Sequence, residues 1–335
     1  MTDATVVIPA HGAAGSVHRL LAALGEQAGS TPLHVVVVDD YSEPPLQLDA
    51  TGAEGVDVRL VRTDENRGPG AARNLGLAQV ETGWVAFLDA DMLPGPGWVE
   101  RLREIARDDG VDGVEGRVDL PANAKATPFT HTTEFHLAGS HHGAGNVAFR
   151  TDVLRAAGGF DERFFDARRK LHFREDTELH FRFAHAGRTV VYDPGLVAQH
   201  IVHEASFLTP VRLSRRYFFD ALLAREHPER YRTLIRSRAV GPISLRLLRH
   251  LAAIGFLLGL GLTAFGLVLP SRMLLITGVV VTGSAWMGTA AGLVWKRTVT
   301  VADLPRLAAA ALLVPWVYAF HFYRGVARFR HHPRF

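Results

Sequence analysis

Two long stretches without a charged side chain limit what the C-terminal third of this chain can form. Residues 251–269 and 274–295 contain no Asp, Glu, Lys or Arg, and each is about long enough to cross a bilayer core of roughly 30 Å. Pro270 opens the short turn between them, so the pattern predicts a transmembrane helical hairpin with both basic flanks on one side of the membrane. The alternative is a buried helical hairpin of a soluble domain, although such long charge-free runs are rare there.

A third apolar stretch lies at residues 304–323. Its charge-free part, residues 308–320, is thirteen residues long, contains Pro315 and is followed by several arginines. A full crossing would place those arginines outside, against the positive-inside rule. We therefore expect an interfacial helix, or one that dips into the membrane and returns, with a third membrane helix as the alternative. The membrane region as a whole covers residues 251–335.

Arginines concentrate beside the apolar stretches, chiefly in residues 212–250. This pattern predicts a basic juxtamembrane helical connector that is attracted to anionic membrane lipids. The formal net charge of +3 does not indicate nucleic-acid binding, because no basic module interleaved with aromatic residues is evident. The strand-like residues 5–8 are not preceded by the pattern of a cleavable signal peptide. We expect a multi-pass protein of the cell membrane whose front domain, residues 1–211, lies on the cytoplasmic face.

Short apolar runs alternate with helical patterns in the front domain. We predict strands at residues 6–8, 33–38, 56–62, 84–88, 113–118, 145–149 and 189–192, and helices at residues 16–28, 70–80, 98–107, 151–157 and 175–186. This alternation indicates βαβ units, and hence an α/β fold with a mainly parallel sheet flanked by helices. The second strand is almost entirely apolar, as a strand covered on both faces requires.

Two carboxylates follow the fourth predicted strand. Asp89 and Asp91 are separated by one alanine, and ligands of open α/β sheets bind beyond the carboxyl ends of the strands. Hard oxygen ligands at such a point suit Mg²⁺ or Mn²⁺ carrying a diphosphate. A polar turn without a metal is the simpler alternative. The chain has no cysteine, which excludes thiolate metal sites and thiol catalysis.

Three other features strengthen the interpretation as a nucleotide-diphosphate site. The first strand ends at a turn begun by Pro9 and Ala10, where backbone can approach a nucleotide. Asp40 follows the second strand and can accept the imide N–H of a uracil, whereas Asp39 is expected to orient the turn. A Gly-rich loop then opens a helix, where backbone N–H groups and Arg73 can meet phosphate charge.

Together and in this order, these motifs resemble the inverting glycosyltransferases of family 2, which have the GT-A fold, a nucleotide-diphospho-sugar transferase-like architecture. The resemblance covers about residues 4–205 and continues through Gly145-Asn146 and Glu175-Asp176. It implies that Gly145, Asn146 and Glu175 lie on the acceptor side. It also implies that Asp176 is the general base, which deprotonates the acceptor hydroxyl while that hydroxyl attacks the sugar in a single inverting displacement.

The same resemblance implies a metal site and a nucleotide site. Mn²⁺ or Mg²⁺ would be held by Asp91, helped by Asp89, and would stabilise the departing nucleoside diphosphate. Asp89 also lies on the nucleotide side. His200 stands where the family often has a histidine that approaches the metal or the diphosphate. A separate zinc site is not favoured, because the histidines that could form it, His131, His136, His141 and His142, lack a tight ligand pattern.

The sequence also departs from the family pattern. His11-Gly12 stand where a pair such as Tyr-Asn is common, and Tyr41 replaces a small residue, which makes recognition of the base less certain than the metal site. The Gln-x-x-Arg-Trp signature of processive polymer synthases is missing after Asp176. We therefore expect the transfer of one sugar per encounter.

The resemblance implies a membrane-attached enzyme that uses a nucleotide-sugar donor, with a UDP-sugar favoured, and a lipid-linked or glycan acceptor. A soluble or protein acceptor is one alternative, and a catalytically idle nucleotide-sugar-binding subunit of a membrane complex is another. Glu175-Asp176 could also be ordinary first-turn acids of a helix. A dinucleotide-binding oxidoreductase is not supported, since Gly68-x-Gly70 does not follow the first strand.

Overall fold

In a computed structural model of the protein, the chain forms two compact units. The first unit is Met1–Ala124 with Thr132–Val202, and the second is Lys125–His131 with His203–Phe335. The structure describes residues 4–48, 54–108, 110–121, 124, 126–130, 143–201, 206–236, 239–240, 243–295 and 297–331. The four histidines considered above as zinc ligands lie outside these ranges.

The first unit contains ten strands and five helices among its described residues. The strands are β1 (Ala4–Ala10), β2 (Leu33–Asp39), β3 (Val56–Arg62), β4 (Trp84–Leu88), β5 (Met92–Pro94), β6 (Gly113–Asp119), β7 (Asn146–Arg150), β8 (Phe165–Asp166), β9 (Leu171–His172) and β10 (Val190–His200). The helices are α1 (Ala14–Ala28), α2 (Gly68–Leu77), α3 (Trp98–Ile105), α4 (Thr151–Ala156) and α5 (Glu175–His185), with a 3₁₀ turn at Glu162–Phe164.

Eight of these strands form one sheet in the order β3-β2-β1-β4-β7-β6-β10-β5. The pairs β1–β2, β2–β3, β1–β4 and β6–β10 are parallel, whereas β7 is antiparallel to both of its neighbours and β5 is antiparallel to β10. The predicted α/β class and its mainly parallel sheet are confirmed.

Helices cover both faces of the sheet. Val6 and Ile8 pack on one face in a core shared with α1 and α3, and Val7 packs on the other face with α2, α4 and α5. The alternation follows from the two-residue period of a strand, which directs successive side chains to opposite faces. Because helices cover both faces of the sheet, the ends of the strands are where polar residues can meet a ligand.

The last strand of the sheet is longer than the sequence predicts. The predicted strand at residues 189–192 ends before Pro194-Gly195, but β10 runs on to His200. The pairing with β6 is interrupted between Asp193 and Val197 and then resumes. The irregularity accommodates a proline, which cannot donate to a ladder. The extension lets His200 pair with Met92 of β5, a strand that the sequence analysis did not predict.

The second unit is mostly helical in its described part. Its helices are α6 (Thr209–Ser214), α7 (Asp220–Glu226), α8 (Pro228–Arg230), α9 (Leu245–Val268), α10 (Arg272–Val294) and α11 (Leu304–Phe329). A π-helical turn (Tyr231–Arg236), 3₁₀ turns (Arg215–Phe219 and Val301–Asp303) and a two-stranded ribbon of β11 (Ala239–Val240) and β12 (Ile243–Ser244) complete it. The described residues between 212 and 250 are thus largely helical, apart from the ribbon.

Helices α9 and α10 form the predicted hairpin and touch along a seam of small residues. A side chain at Gly259 would overlap Thr282, and one at Gly278 would overlap Thr263. Each threonine hydroxyl donates to a carbonyl of its own helix, from Thr263 to Gly259 at 2.8 Å and from Thr282 to Gly278 at 2.9 Å. Small residues of this kind let membrane helices approach closely.

The third apolar segment is one continuous helix. It begins at Leu304, where the predicted helix of residues 304–323 begins, and continues to Phe329, with Pro315 inside it. Within the described residues, three stretches are long and apolar enough to cross a membrane, namely His250–Val268, Arg272–Val294 and Val301–Phe329.

Candidate functional site

The two carboxylates of the predicted metal site lie on a tight turn after β4. The Asp89 amide donates to the Gly145 carbonyl at 3.2 Å, and the Met92 amide donates to the Asp89 carbonyl at 2.9 Å. The side chains of Asp89 and Asp91 are 32% and 29% exposed. A Cβ at Gly145 would lie 2.9 Å from Asp89 Oδ2, so a glycine is needed beside this carboxylate. Both acids are therefore held in place and open to a ligand.

His200 joins Asp91 through the pairing of β5 with β10. Its Nε2 lies 3.5 Å from Asp91 Oδ2, and the Ile201 amide donates to the Asp91 carbonyl at 2.8 Å. The structure thus brings two of the three predicted metal ligands together. The described residues contain no group of three or more His, Asp or Glu side chains arranged to hold a metal ion.

The donor set nevertheless fits a divalent ion that arrives with its ligand. Mg²⁺ and Mn²⁺ prefer carboxylate oxygens, and an ion bound to a diphosphate needs only one or two of them from the protein. Asp91 and Asp89 present partly exposed oxygens. Because phosphate oxygens and water complete the coordination shell, a closed cage of three protein ligands is not required.

Arg73 is buried between two acids. Its Nη2 donates to Asp89 Oδ1 at 2.7 Å, its Nη1 lies 3.6 Å from Glu175 Oε1, and the side chain is 4% exposed. Burial alone would lower the pKa of Arg73, but the charges of Asp89 and Glu175 outweigh burial and raise this pKa. The structure therefore brings Arg73, Asp89 and Glu175 into one cluster, and the guanidinium predicted to meet phosphate contacts carboxylates instead.

Glu175 and Asp176 begin α5 and differ in their surroundings. Burial raises the pKa of Asp176, and the neighbouring charge of Glu175 raises it further. Burial acts on Glu175 as well, but His172 and Arg73 lower its pKa to about 2. Glu175 is therefore the permanently charged member of the pair, and Asp176 is the member whose proton affinity is increased.

The Asp40 carboxylate accepts hydrogen bonds from groups of its own chain. Its Oδ1 accepts from the Arg67 amide at 2.9 Å and from Thr63 Oγ1 at 3.1 Å, and its Oδ2 accepts from the Gly68 amide at 2.8 Å. The carboxylate, predicted to contact a uracil, thus holds the start of α2. Asp39 has the structural role predicted for it, since its carboxylate accepts from the amides of Ser42 and Leu46.

The end of β1 lies next to this loop. Pro9 and Ala10 are buried as its last two residues, and the Ala10 carbonyl accepts from the Asp40 amide at 2.8 Å. His11 Nδ1 lies 2.7 Å from the Asp40 carbonyl. The expected approach of backbone to a nucleotide would therefore occur beside Asp40, at the carboxyl ends of β1 and β2.

Asn146 lies inside the sheet. Its side chain is 1% exposed. Its Oδ1 accepts from Trp98 Nε1 at 2.9 Å, and its Nδ2 donates to the carbonyls of Arg117 and Leu196 at 3.0 and 2.8 Å. These bonds join β7 to β6, β10 and α3, which indicates a structural role for Asn146.

We expect Asn146→Ala to destabilise the protein without changing its affinity for a nucleotide. The substitution leaves the Trp98 indole N–H and two carbonyls without their partner, and each unsatisfied buried group costs about 1–3 kcal/mol. The melting temperature in detergent should fall by roughly 5–10 °C, while the dissociation constant for UDP with Mn²⁺ stays the same. A normal melting temperature combined with weakened acceptor use would contradict this assignment.

Two residues that support this region, His172 and Asn74, could not be identified as such from the sequence. His172 Nδ1 lies 3.6 Å from Glu175 Oε1. Asn74 binds the backbone of Phe160, with its Oδ1 accepting from the amide and its Nδ2 donating to the carbonyl, both at 2.8 Å. The three-residue spacing of His172 and Glu175 was a weak signal for the first contact. No signal in the sequence identified the contacts of Asn74, because Phe160 is distant from it in the chain.

A family model described as Glycosyl transferase family 2 matches residues 5–176. This range contains Pro9, Asp40, Arg73, the two acids after β4 and Asp176. It covers every predicted site residue except His200.

Related proteins are similar over different parts of the chain. A pre-mycofactocin glycosyltransferase of Mycobacterium tuberculosis is 30% identical over 258 residues, which cover 70% of this chain and 50% of the relative. The succinoglycan biosynthesis protein ExoO of Rhizobium meliloti is 36% identical over 104 residues, 31% of this chain and 30% of that protein. This chain thus spans about half the length of the mycobacterial relative.

Among solved structures, the mannosyltransferase PcManGT from Pyrobaculum calidifontis, in complex with GDP-Man and Mn²⁺, covers 98% of this chain. The alignment covers 87% of that chain, with 19% identity and a TM-score of 0.47. A likeness of this degree indicates nothing about the donor or the acceptor of the present chain.

Proposed function

This chain belongs to glycosyl transferase family 2, and on that premise we propose that it moves one sugar from a nucleotide-diphosphate donor to an acceptor. The acceptor group is a hydroxyl or a phosphate, and the anomeric centre is inverted. The observation that supports this proposal is the cluster in which Arg73 contacts both Asp89 and Glu175. Through Arg73, Asp89, which is suited to the donor side, is connected to Glu175 and Asp176, which are suited to the acceptor side.

Asp176 is the base in this proposal. Its raised pKa makes it a better proton acceptor than an exposed aspartate. The neighbouring Glu175 stays ionised, and its charge favours proton uptake by Asp176. As the acceptor oxygen attacks the sugar C1, its proton passes to a carboxylate oxygen of Asp176, and the bond from C1 to the diphosphate oxygen breaks.

Asp91, with Asp89 and His200, would hold Mn²⁺ or Mg²⁺ at the donor site. Such an ion stabilises the negative charge of a leaving diphosphate. The protein supplies the partly exposed carboxylates, the glycine at position 145 that leaves room beside Asp89, and the pairing of β5 with β10 that positions His200. The nucleotide lies beside Pro9, Ala10 and Asp40, and a UDP-sugar is the donor that we favour.

The helices of the second unit anchor the enzyme in the cell membrane in this proposal. Helices α9, α10 and α11 have the length and composition of membrane spans. Basic residues precede α9 and follow the apolar part of α11. Because three crossings would put these two ends on opposite sides, the positive-inside rule favours a spanning hairpin of α9 and α10 with α11 at the cytoplasmic interface. A catalytic unit on the cytoplasmic face would reach a lipid-linked acceptor in the adjacent leaflet.

A donor screen tests the proposed function. The full chain in detergent is incubated with Mn²⁺ and UDP-, GDP- and dTDP-sugars, with and without a lipid extract, and the release of nucleoside diphosphate is measured. We expect release from one donor class that is lost with EDTA, restored by Mn²⁺ and increased by lipid extract. Donor binding without release under all conditions would favour a binding subunit and contradict the proposed transfer.

On the acid side of the pH profile, the transfer rate should begin to fall at a higher pH than it would with an ordinary aspartate as the base. Asp176 acts only when deprotonated, so the rate falls as the pH drops through its pKa. Because burial and Glu175 raise that pKa, the fall should begin above the value of about 4 expected for an exposed aspartate. The measurement is kcat/KM against pH at saturating Mn²⁺, within the pH range where the melting temperature is constant. An inflection at or below about 4 would contradict the assignment.

A further inference from the structure

Arg73 is a buried cation that the proposed reaction does not use. Its Nη2 hydrogen bonds to Asp89 at 2.7 Å, and its Nη1 makes a longer ion pair with Glu175 at 3.6 Å. The guanidinium also lies over the Phe160 ring, 5.3 Å from the ring centroid. A guanidinium presents several donors in a rigid fork, which suits it to hold two carboxylates at a set separation.

The helix that carries Arg73 is fixed on two sides. A Cβ at Gly76 would overlap Val7, so the glycine allows α2 to pack directly on β1. On the other side, Asn74 binds both backbone polar groups of Phe160. A side chain on such a rigid element holds its partners more precisely than a side chain on a loop.

The surroundings of Arg73 argue against its use as a phosphate ligand. The side chain is 4% exposed, and its two charged contacts are carboxylates. Nη2 is held by Asp89, and Nε and Nη1, which have no hydrogen-bond partner among the described residues, are buried with the rest of the side chain. A phosphate that took Nη1 would also leave the buried Glu175 carboxylate with less compensation, which is costly.

We propose that Arg73 is a positioning residue that couples the two halves of the active site. It sets the Asp89 carboxylate on the donor side and Glu175 on the acceptor side in one geometry, and it acts on Asp176 through Glu175. This role rests on the proposed glycosyl transfer, and it replaces the phosphate contact expected from the sequence.

The test separates positioning from donor binding by measuring KM and kcat. Arg73→Lys keeps the charge but loses the fork, and an ammonium group cannot hold both acids in the same way. We expect kcat to fall by roughly 10- to 100-fold, because small misplacements of reacting groups have effects of this size. The donor KM and the dissociation constant for UDP with Mn²⁺ should change by less than about threefold. A phosphate ligand would show the reverse pattern.

Arg155→Lys is the matched control. Arg155 binds the carbonyls of Leu77 and Val80 near the carboxyl end of the same helix, away from the acids. The same substitution there should leave kcat and donor KM unchanged. If Arg155→Lys lowers kcat as much as Arg73→Lys does, the effect belongs to the stability of α2, and the positioning role is wrong.

A second variant keeps the test valid if Arg73→Lys folds poorly. Glu175→Gln retains the size of the side chain and should lower kcat without changing donor affinity. Because both residues act through one contact, the double variant should lose less than the product of the two single losses. Strictly multiplicative losses would overturn the coupling.

The failure of the proposed function would be recognised separately. A wild-type protein that releases no nucleoside diphosphate from any donor contradicts the transfer itself. An active wild type with a raised donor KM and a normal kcat in Arg73→Lys contradicts only the positioning role.

Discussion

Asp176→Asn should lower the rate of sugar transfer by about 10²- to 10⁴-fold, the usual contribution of a general base. The amide has the shape of the carboxylate but cannot accept the acceptor's proton at neutral pH. Donor binding should remain normal. The Asp176 carboxylate accepts a hydrogen bond from the Thr177 amide and interacts electrostatically with Glu175 and Arg73, and none of these interactions involves the donor. The measurements are single-turnover transfer and the dissociation constant for UDP with Mn²⁺.

Asp152→Asn provides the matched control for this experiment. Asp152 also lies in the first turn of a helix, but its side chain is 69% exposed and it pairs with Arg150 on the surface. The same chemical change there should leave transfer and stability close to wild type. If Asp176→Asn still transfers sugar at a near-normal rate, another group is the base.

Asp91→Ala should abolish metal-dependent donor binding. Even residues that only support metal ligands contribute roughly 10- to 100-fold to metal affinity, so losing a direct ligand should raise the dissociation constant for Mn²⁺ and UDP together by at least about 100-fold. Titration calorimetry with UDP, in Mn²⁺ and in EDTA, measures the difference. The wild type should bind more tightly in Mn²⁺, and the variant should show equal, weak binding in both.

Asp57→Ala controls for the loss of an acidic side chain. Asp57 lies on β3 at the edge of the sheet, its side chain is 70% exposed, and its partner is His34. The variant should keep the Mn²⁺ dependence of UDP binding. Retention of that dependence in Asp91→Ala would exclude Asp91 as the metal ligand and would leave Asp89 and His200 to be tested in the same way.

The strands could be predicted because burial on both faces leaves a clear pattern. β2 and β4 are almost entirely apolar, and acids follow each of them. Parallel strands bring their carboxyl ends to one edge of the sheet, so the general place of Asp40, Asp89 and Asp91 followed from the order of the strands. The end of β10 could not be predicted in this way, because Pro194-Gly195 is typical of the end of a strand.

The roles of individual polar residues were harder to predict. Arg73 and Asp40 belong to a Gly-rich loop and its neighbour, where a phosphate and a base are the expected partners. In the structure their partners are carboxylates and backbone amides of the same chain. Asn146 likewise resembles a surface residue but binds three groups in the interior. Such partners depend on which distant segments meet, and a local pattern in the sequence does not contain that information.

The seam between α9 and α10 limits how these two helices can turn against each other. Gly259 faces Thr282, and Gly278 faces Thr263, in a reciprocal arrangement. Turning either helix about its long axis would bring a bulkier residue to the contact and push the two helices apart. The hairpin therefore has a preferred rotational setting of its own. We expect that it would insert as a self-contained unit and could tether an unrelated protein to a bilayer.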